Sequence, residues 1–183
     1  MENLKAGSDF AKKMGIDKII THAGFIPENP HDPNYAAMVS SLRVVAKHAA
    51  ANGQELLLET GQETPVTLLR TIQDVGTGNL GVNLDPANLI MYGKANPVDS
   101  IDTLGKHIVS VHAKDGLYPT NGHELGPEVA LGSGKVNFPA LIKALHAVGF
   151  DGVLTIEREI SGDQQTEDIR SGKALLENIL EQL

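Results

Sequence analysis

The sequence predicts an α/β domain built on a parallel sheet. Five short runs rich in β-branched and aliphatic residues recur along the 183 residues, and segments with helical spacing of apolar residues separate them. The interiors of these runs are almost continuously apolar, which is typical of strands buried on both faces of a parallel sheet. No linker, low-complexity segment or block of like charge divides the chain, so we assign residues 1–183 to one domain.

The predicted strands occur at regular intervals along the chain. They are DKIITHAG from Asp17, QELLLETG from Gln54, NLGVNLDP from Asn79, HIVSVHAKD from His107 and DGVLTIERE from Asp151. The stretch between His112 and Glu157 is long and rich in glycine, and a loop of that length is either functional or contains a further element. We therefore predict an additional short strand at GPEVALG.

Helices are predicted between the strands from their apolar spacing and their end signals. Thr64 before Pro65, and Asn96 before Pro97, are typical of a capping residue followed by a first-turn proline. Asn52 and Gly53 are typical of a helix C-terminus. The predicted helices span 2–14, 34–51, 138–148 and 166–183, with two more beginning at Pro65 and Pro97.

The composition narrows the classes of function. The chain has 23 acidic and 15 basic residues, a formal net charge of −8, which disfavours binding to nucleic acid or to anionic membranes. No apolar run approaches the roughly 20 residues of a membrane helix, and the N-terminus lacks a signal-peptide pattern, so we expect a cytoplasmic protein. Because the chain has no cysteine, any metal must bind to carboxylate, imidazole, carbonyl or water.

Four predicted strands carry a metal-binding type of side chain at or near the C-terminal end. These residues are Glu59, Asp85, His112 and Glu157, and His22 has the same place on the first strand. In a parallel α/β barrel the C-terminal strand ends open onto one face, where active sites lie. Three carboxylates and an imidazole that converge would repel one another without a cation. We therefore predict one divalent metal ion, with Mn²⁺, Mg²⁺ or Co²⁺ favoured by the ligand types and Zn²⁺ also compatible.

Each of these residues, taken alone, has a structural interpretation. Asp85 before Pro86 is also typical of a turn, and Glu157 could pair with Arg158 at the surface. The same register on four strands is what favours convergence over four independent surface groups.

These residues and their flanks resemble the sugar phosphate isomerase/epimerase family, a group of xylose-isomerase-like TIM barrels related to endonuclease IV. The segments that carry the resemblance are THAGFIPENP, LLLETGQE, GVNLDPANL, VSVHAKD, LGSGKVNFPALIKAL and GFDGVLTIERE. The resemblance implies that Glu59, Asp85, His112 and Glu157 hold one metal. It also implies that Glu59 and Glu157 act as the acid and base on either side of a bound sugar.

The implied chemistry is isomerisation or epimerisation of a sugar or sugar phosphate by proton transfer through an enediolate. A cation on the carbonyl and hydroxyl oxygens stabilises the enediolate, while a carboxylate removes the proton from carbon. His22, Asn88 and Lys114 are predicted to contact substrate, although Lys114 and Asp115 also fit a solvated pair in a loop. Gly132, Ser133 and Gly134 are candidates for binding a phosphate through backbone N–H groups.

Three alternatives accompany this prediction. The same site could serve a lyase or dehydratase that expels water from an inosose-type polyol or a keto acid. The chain could also be an inactive or partner-binding barrel fragment. An endonuclease IV-like nuclease is disfavoured, because Asn88 stands where that enzyme has a histidine and the chain lacks a basic surface.

The length implies an incomplete barrel. An eight-unit barrel typically takes about 250 residues, with about 200 near the lower limit. The segment 21–27 resembles the third strand of the family, so we expect about six βα units without the first two strands. Such a sheet would expose two edges and part of its apolar interior. We expect either that a partner chain covers them, as in a homo-oligomer, or that the chain is a fragment with compromised activity.

Overall fold

The computed structural model describes residues 2–183, which form a five-stranded parallel sheet with helices packed against it. The strands of this sheet are β1 (Lys18–Thr21), β2 (Glu55–Glu59), β3 (Leu80–Leu84), β4 (Ile108–Ala113) and β7 (Val153–Ile156), and a separate pair consists of β5 (Asp115–Gly116) and β6 (Glu128–Val129). The helices are α1 (Glu2–Lys13), α2 (Pro33–Ala51), α3 (Pro65–Val75), α4 (Pro86–Met91), α5 (Pro97–Leu104), α6 (Phe138–Ala147) and α7 (Asp163–Leu180). None of the helices in this part of the chain has the length and apolar character that crossing a membrane requires.

Five helices begin in the same way, with a polar cap and a proline in the first turn. A side-chain oxygen of the capping residue accepts a hydrogen bond from a backbone N–H that the helix cannot satisfy itself. The caps are Asp32, Thr64, Asp85, Asn96 and Asn137. Thr64 and Asn96 were predicted from the sequence, and both helix starts are confirmed.

The structure differs from the sequence-based prediction at two helices. Asp85 caps the short helix α4, which was not predicted; the sequence analysis placed Asp85 at a strand end, with an ordinary turn as the alternative. The last helix begins at Asp163 and not at 166, directly after Gly162, whose φ of 89° lies in the left-handed region.

The parallel sheet brings the C-terminal ends of its strands to one edge. The strand order is β1-β2-β3-β4-β7, and all four pairings are parallel. Buried leucine, valine and isoleucine side chains of these strands pack against the inner faces of the helices to form the core. Whatever follows each strand therefore lies on a common face of the molecule.

The open sheet confirms the predicted incomplete TIM barrel, with a difference in the strand count. The sheet has five strands, whereas about six βα units were expected. The segment predicted as a further strand does form one at Glu128–Val129, but it pairs antiparallel with Asp115–Gly116. No helix lies between β5 and β6 to return the chain in a parallel direction, so the two strands form a hairpin-like pair.

The two edge strands, β1 and β7, each pair on one side only. Their residues alternate between exposed and partly buried, and Ile20 and Val153 are among the exposed large apolar side chains. Edges of this kind can pair with another chain. The predicted homo-oligomer remains a prediction.

A register shift between β3 and β4 determines the face of the sheet on which the side chains at the end of β4 lie. Val82 pairs with Ile108 and Asn83 with Ser110, so Val109 is an extra residue on β4. A Cβ at Gly81 would lie 2.7 Å from Val109 Cγ2, so glycine makes room for that side chain. Because side chains alternate along a strand, the extra residue decides the face on which the end of β4 presents its side chains.

The Gly-rich loop before α6 is held by one buried carboxylate. Asp115 is 1% exposed and accepts four backbone hydrogen bonds, from Gly116 at 2.8 Å, Gly132 at 3.0 Å, Gly134 at 2.8 Å and Val136 at 3.1 Å. A carboxylate with several N–H donors forms strong, charge-assisted hydrogen bonds. Asp115 therefore fixes the path of the chain from β5 to α6.

This arrangement corrects two interpretations made from the sequence. Asp115 is not part of a solvated pair, because its side chain is buried among backbone donors. The loop amides are also not available to a phosphate, since Gly132 and Gly134 donate to Asp115 and Ser133 donates to the carbonyl of Ala130 at 2.9 Å. The sequence could not reveal this, because the acceptor lies about 20 residues before its donors.

We expect Asp115→Asn to destabilise the fold. The amide of asparagine would turn an N–H group toward backbone N–H donors that now share a carboxylate. We expect the free energy of unfolding to fall by about 2–4 kcal/mol, the loss of one or two hydrogen bonds to a charged group. Urea denaturation followed by circular dichroism measures the change. The matched control is Glu124→Gln in the exposed part of the same hairpin, for which we expect a change within about 0.5 kcal/mol. Equal stability of the two variants would contradict the role of Asp115.

Candidate metal centre

The four residues predicted as metal ligands lie together at the C-terminal edge of the sheet. Glu59 is the last residue of β2, Asp85 follows β3, His112 is near the end of β4, and Glu157 follows β7. One ligand atom from each of them lies within 4.8 Å of the others. The parallel pairing of neighbouring strands is what brings residues so distant in sequence into one cluster.

Asp85 is the most buried member of the cluster. Its residue exposure is 0%, and its backbone N–H and carbonyl both bond to the Thr60 hydroxyl at 2.8 Å. Oδ1 accepts the backbone N–H of Asn88 at 2.9 Å, but Oδ2 has no hydrogen-bond partner. Burial raises the pKa of Asp85 to about 7. A buried carboxylate oxygen without a partner is costly, and a bound cation would remove that cost.

His112 links the two glutamates. Its Nδ1 lies 3.1 Å from Glu59 Oε1 and 3.2 Å from Glu157 Oε2. Hydrogen bonds to Glu157 and then Glu59 raise the pKa of His112 to about 10, and the His112 contact lowers the pKa of Glu157 to about 2. A protonated imidazole therefore offsets part of the negative charge of the cluster.

Lys114 supplies the second positive charge. Its residue is 3% exposed, and its Nζ lies 3.0 Å from Glu159, 3.4 Å from Glu157 and 3.9 Å from Asp85. Burial by itself would lower the pKa of Lys114, but these three carboxylates raise it above its ordinary value. Lys114 is thus a buried neighbour of the cluster, and its interpretation as a solvated loop residue was wrong.

Arg158 does not pair with Glu157, contrary to the surface-pair alternative. Its guanidinium lies 3.0 Å from Glu128 and 2.7 Å from Asp168. These contacts connect the loop after β7 to β6 and to α7, and they leave the Glu157 carboxylate to the cluster.

The donor set fits a divalent metal ion. Carboxylate oxygens and one imidazole nitrogen are ligands that Mg²⁺, Mn²⁺ and Zn²⁺ all accept. Two of the candidate ligands are held by neighbouring side chains, since Thr60 bonds to the Asp85 backbone and Lys114 contacts the Glu157 carboxylate. The unpartnered Oδ2 of Asp85 supplies a buried acceptor that an ion would satisfy.

The residues predicted to contact substrate differ in their surroundings. His22 has a side chain that is 58% exposed, and its Nε2 lies 3.6 Å from Glu59 Oε2. Its ring packs over Gly61, where a Cβ would lie 3.5 Å away. Asn88 is buried and donates its side-chain amide to the Thr60 carbonyl at 3.1 Å. His22 therefore borders both solvent and the cluster, whereas Asn88 is already engaged.

Three residues of this region were not singled out from the sequence. Thr60 ties the loop after β2 to Asp85, and Glu159 binds Lys114. Glu63 is buried in the loop before α3, and burial raises its pKa to about 7. Threonine and glutamate are common in loops, so only the three-dimensional contacts distinguish these positions.

Comparisons with known proteins agree with this architecture. Residues 1–179 match the family model described as xylose isomerase-like TIM barrel. A xylose isomerase domain protein from Planctomyces limnophilus is 38% identical with a TM-score of 0.91, covering 99% of this chain and 64% of that chain. A D-tagatose 3-epimerase-like protein is 25% identical with a TM-score of 0.76, covering 97% and 67% respectively.

A protein of Methanocaldococcus jannaschii, MJ1311, is also similar in sequence. It is 26% identical over 194 residues, which cover 99% of this chain and 62% of that protein. The chain thus spans less than two thirds of the length of MJ1311 and of the Planctomyces limnophilus protein.

We expect Asp85→Asn to weaken metal binding while the chain still folds. Asparagine can still cap α4, but it removes a ligand charge, so affinity for Mn²⁺ should fall by more than about 100-fold. Isothermal titration calorimetry measures this affinity. Asp102→Asn, at an exposed position of α5, is the matched control and should leave affinity unchanged.

The same substitution has a pH-dependent effect on the metal-free fold. The pKa of Asp85 is raised from 3.8 to about 7 in the folded state, so the folded protein holds this proton more tightly than the unfolded chain does. The protonated Asp85 therefore stabilises the fold fully below about pH 4, and this stabilisation is lost as the pH rises through 7. The stability of Asp85→Asn relative to wild type should therefore increase from about pH 5 to about pH 8. Denaturant titrations at the two pH values in the presence of a chelator test this. A constant or shrinking difference would argue against burial as the cause of the raised pKa of Asp85.

Metal affinity itself should increase with pH. Binding displaces the proton of His112, whose pKa is about 10, and below pH 7 also the proton of Asp85. We expect the logarithm of the Mn²⁺ association constant to rise by about two per pH unit below pH 7 and by about one above it. Calorimetry in buffers of different ionisation enthalpy counts the released protons. A pH-independent affinity without proton release would contradict this charge assignment.

Proposed function

Because the chain belongs to the xylose isomerase-like TIM-barrel family, we propose that it is a metal-dependent isomerase or epimerase of a sugar or sugar phosphate. The observation that carries the proposal is the cluster of Glu59, Asp85, His112 and Glu157, with ligand atoms within 4.8 Å of one another. The similarity to a D-tagatose 3-epimerase-like protein supports a sugar as substrate.

We assign the four cluster residues to one divalent metal ion, Mn²⁺, Mg²⁺, Co²⁺ or Zn²⁺. Their oxygen and nitrogen donors fit such an ion, and Asp85 offers a buried oxygen that lacks a partner. When bound, the ion would supply Lewis-acid polarisation of a substrate carbonyl.

Glu59 and Glu157 are the proposed acid and base. They come from β2 and from the end of β7, two strands that β3 and β4 separate, yet both carboxylates contact the same His112 nitrogen. A carbon acid bound between them could lose a proton to one carboxylate and regain a proton from the other. Isomerisation moves the proton to the neighbouring carbon, and epimerisation returns it to the opposite face of the same carbon.

The remaining predicted residues support this pair. His22 is the proposed contact for a substrate hydroxyl, since its imidazole is exposed beside Glu59. Lys114 would act at the edge of the substrate site and hold Glu157 in place through their 3.4 Å contact. Asn88 would act mainly by holding the Thr60 segment against Asp85.

Substituting either glutamate should slow proton transfer strongly. We expect Glu59→Gln and Glu157→Gln to reduce turnover by about 10²–10⁴-fold, the usual contribution of a general acid or base. The assay follows deuterium from solvent into the carbon-bound positions of ketoses and ketose phosphates, with D-tagatose and D-fructose in the panel and Mn²⁺ at saturation. Nuclear magnetic resonance detects both the exchange and any new sugar.

Glu55→Gln is the matched control, because Glu55 is an exposed glutamate at the opposite end of the same strand as Glu59. Wild-type exchange in this variant, together with its loss in the two others, supports the proposal. Full activity of Glu59→Gln and Glu157→Gln would contradict it. Loss of water with enone absorbance from inosose-type polyols, without a new sugar, would indicate the lyase instead.

A further inference from the structure

The arrangement of charges around the cluster narrows the class of substrate. Resting on the proposed function, we infer that this site takes an uncharged sugar or polyol and not a phosphate ester. Three features of the face that contains the C-terminal strand ends lead to this inference.

The first feature is the balance of charge in the loops that follow the strands. Counted together with the short elements α4, β5 and β6 that they contain, these segments are residues 22–32, 60–64, 85–96, 114–137 and 157–162. Together they contain nine acidic and four basic residues, an excess of five negative charges. A phosphate dianion approaching this face would meet a negative potential, whereas a neutral sugar would not.

The second feature is that most of the basic side chains in these segments already form ion pairs with carboxylates. Of the four in these loops, Lys114 contacts three carboxylates and Arg158 contacts two. Lys94 lies 3.4 Å from Glu28. Binding a phosphate through Lys114 or Arg158 would weaken a largely buried ion pair and leave a carboxylate without its partner. Lys94 pairs with an exposed carboxylate, so this cost is small there.

The third feature is the engagement of the backbone donors. The Gly-rich loop 130–136 is the segment with the composition of a phosphate-binding loop. Its N–H groups at Gly132, Gly134 and Val136 all donate to Asp115. A protein carboxylate thus occupies the backbone N–H groups through which this loop would otherwise bind a phosphate.

A divalent ion does not reverse this balance. The carboxylates of Glu59, Asp85, Glu157 and Glu159 surround Lys114 and the proposed ion. When His112 is neutral, the four carboxylates carry four negative charges, and Lys114 and the divalent ion together carry three positive charges. The net charge of the group is therefore −1. A neutral substrate that offers hydroxyl and carbonyl oxygens adds no further repulsion.

Lys135 is the fourth basic residue of these loops, and in residues 2–183 it forms no ion pair within 4.0 Å. It is exposed, and its backbone N–H donates to the Gly116 carbonyl at 2.9 Å. If a phosphate ester did bind at this face, Lys135 would be the cation available to hold it. The residue therefore provides the sharpest test of the inference.

The experiment compares matched pairs of ligands on the Mn²⁺-loaded full chain by calorimetry. The pairs are D-fructose, D-ribulose and D-xylulose, each with its terminal phosphate ester, and inorganic phosphate is titrated separately. We expect at least one free ketose to bind at least about tenfold more tightly than its phosphate, a difference of about 1.4 kcal/mol. Lys135→Ala should change neither affinity, as should the control Lys143→Ala on α6.

Two other outcomes would overturn the inference and can be told apart. Tighter binding of the phosphate esters, lost in Lys135→Ala and retained in Lys143→Ala, would assign a phosphate site and leave the proposed function intact. Binding of Mn²⁺ without binding of any ketose or ketose phosphate would remove the proposed function as well.

Discussion

Three carboxylates lie close together in this structure, and the groups around them must offset their mutual repulsion. Glu59, Asp85 and Glu157 converge because parallel strands end at one edge of the sheet. Burial denies Glu59 and Asp85 most of their hydration, whereas the Glu157 side chain is 29% exposed. The protein offsets this charge with His112 and with the buried ammonium of Lys114. It also gives one Asp85 oxygen to the first turn of α4, where a negative charge is favoured by the helix dipole. His112, Lys114 and the first turn of α4 thus each offset part of the negative charge that the parallel sheet brings together.

The same geometry explains why small backbone features matter far from the cluster. The register between β3 and β4 shifts at Val109, and Gly81 supplies the space that this residue needs. Without the shift, the side chains at the end of β4 would alternate in the opposite sense, and His112 would face away from Glu59. The position of a site residue is therefore set partly by a glycine on the neighbouring strand.

The fold and the convergence of the site could be predicted from the sequence, because both follow from local patterns. Apolar runs marked the five parallel strands, and polar residues recurring at strand ends marked Glu59, Asp85, His112 and Glu157. The surroundings of the site could not be predicted, because they depend on contacts between distant segments. Lys114 and Asp115 have the composition of a solvated loop, yet one is buried among carboxylates and the other among backbone N–H groups. Hydropathy describes the residue type, whereas burial of a charge depends on partners elsewhere in the chain.

The proposed chemistry requires both the holding of a metal ion and the enclosure of a substrate. These two requirements involve different parts of the open sheet. The four proposed ligands come from β2, β3, β4 and β7, which are consecutive in the sheet, so every pairing that aligns them lies within the described residues. His22, the proposed substrate contact, lies directly after the edge strand β1, and Glu157 follows the other edge strand, β7. On the proposed function, metal affinity would depend on these strand pairings, whereas the enclosure of a substrate would also depend on the two edge strands. Water exclusion strengthens electrostatic interactions in a site, so the proposed turnover would be more sensitive than the proposed ion binding to the exposure of those edges.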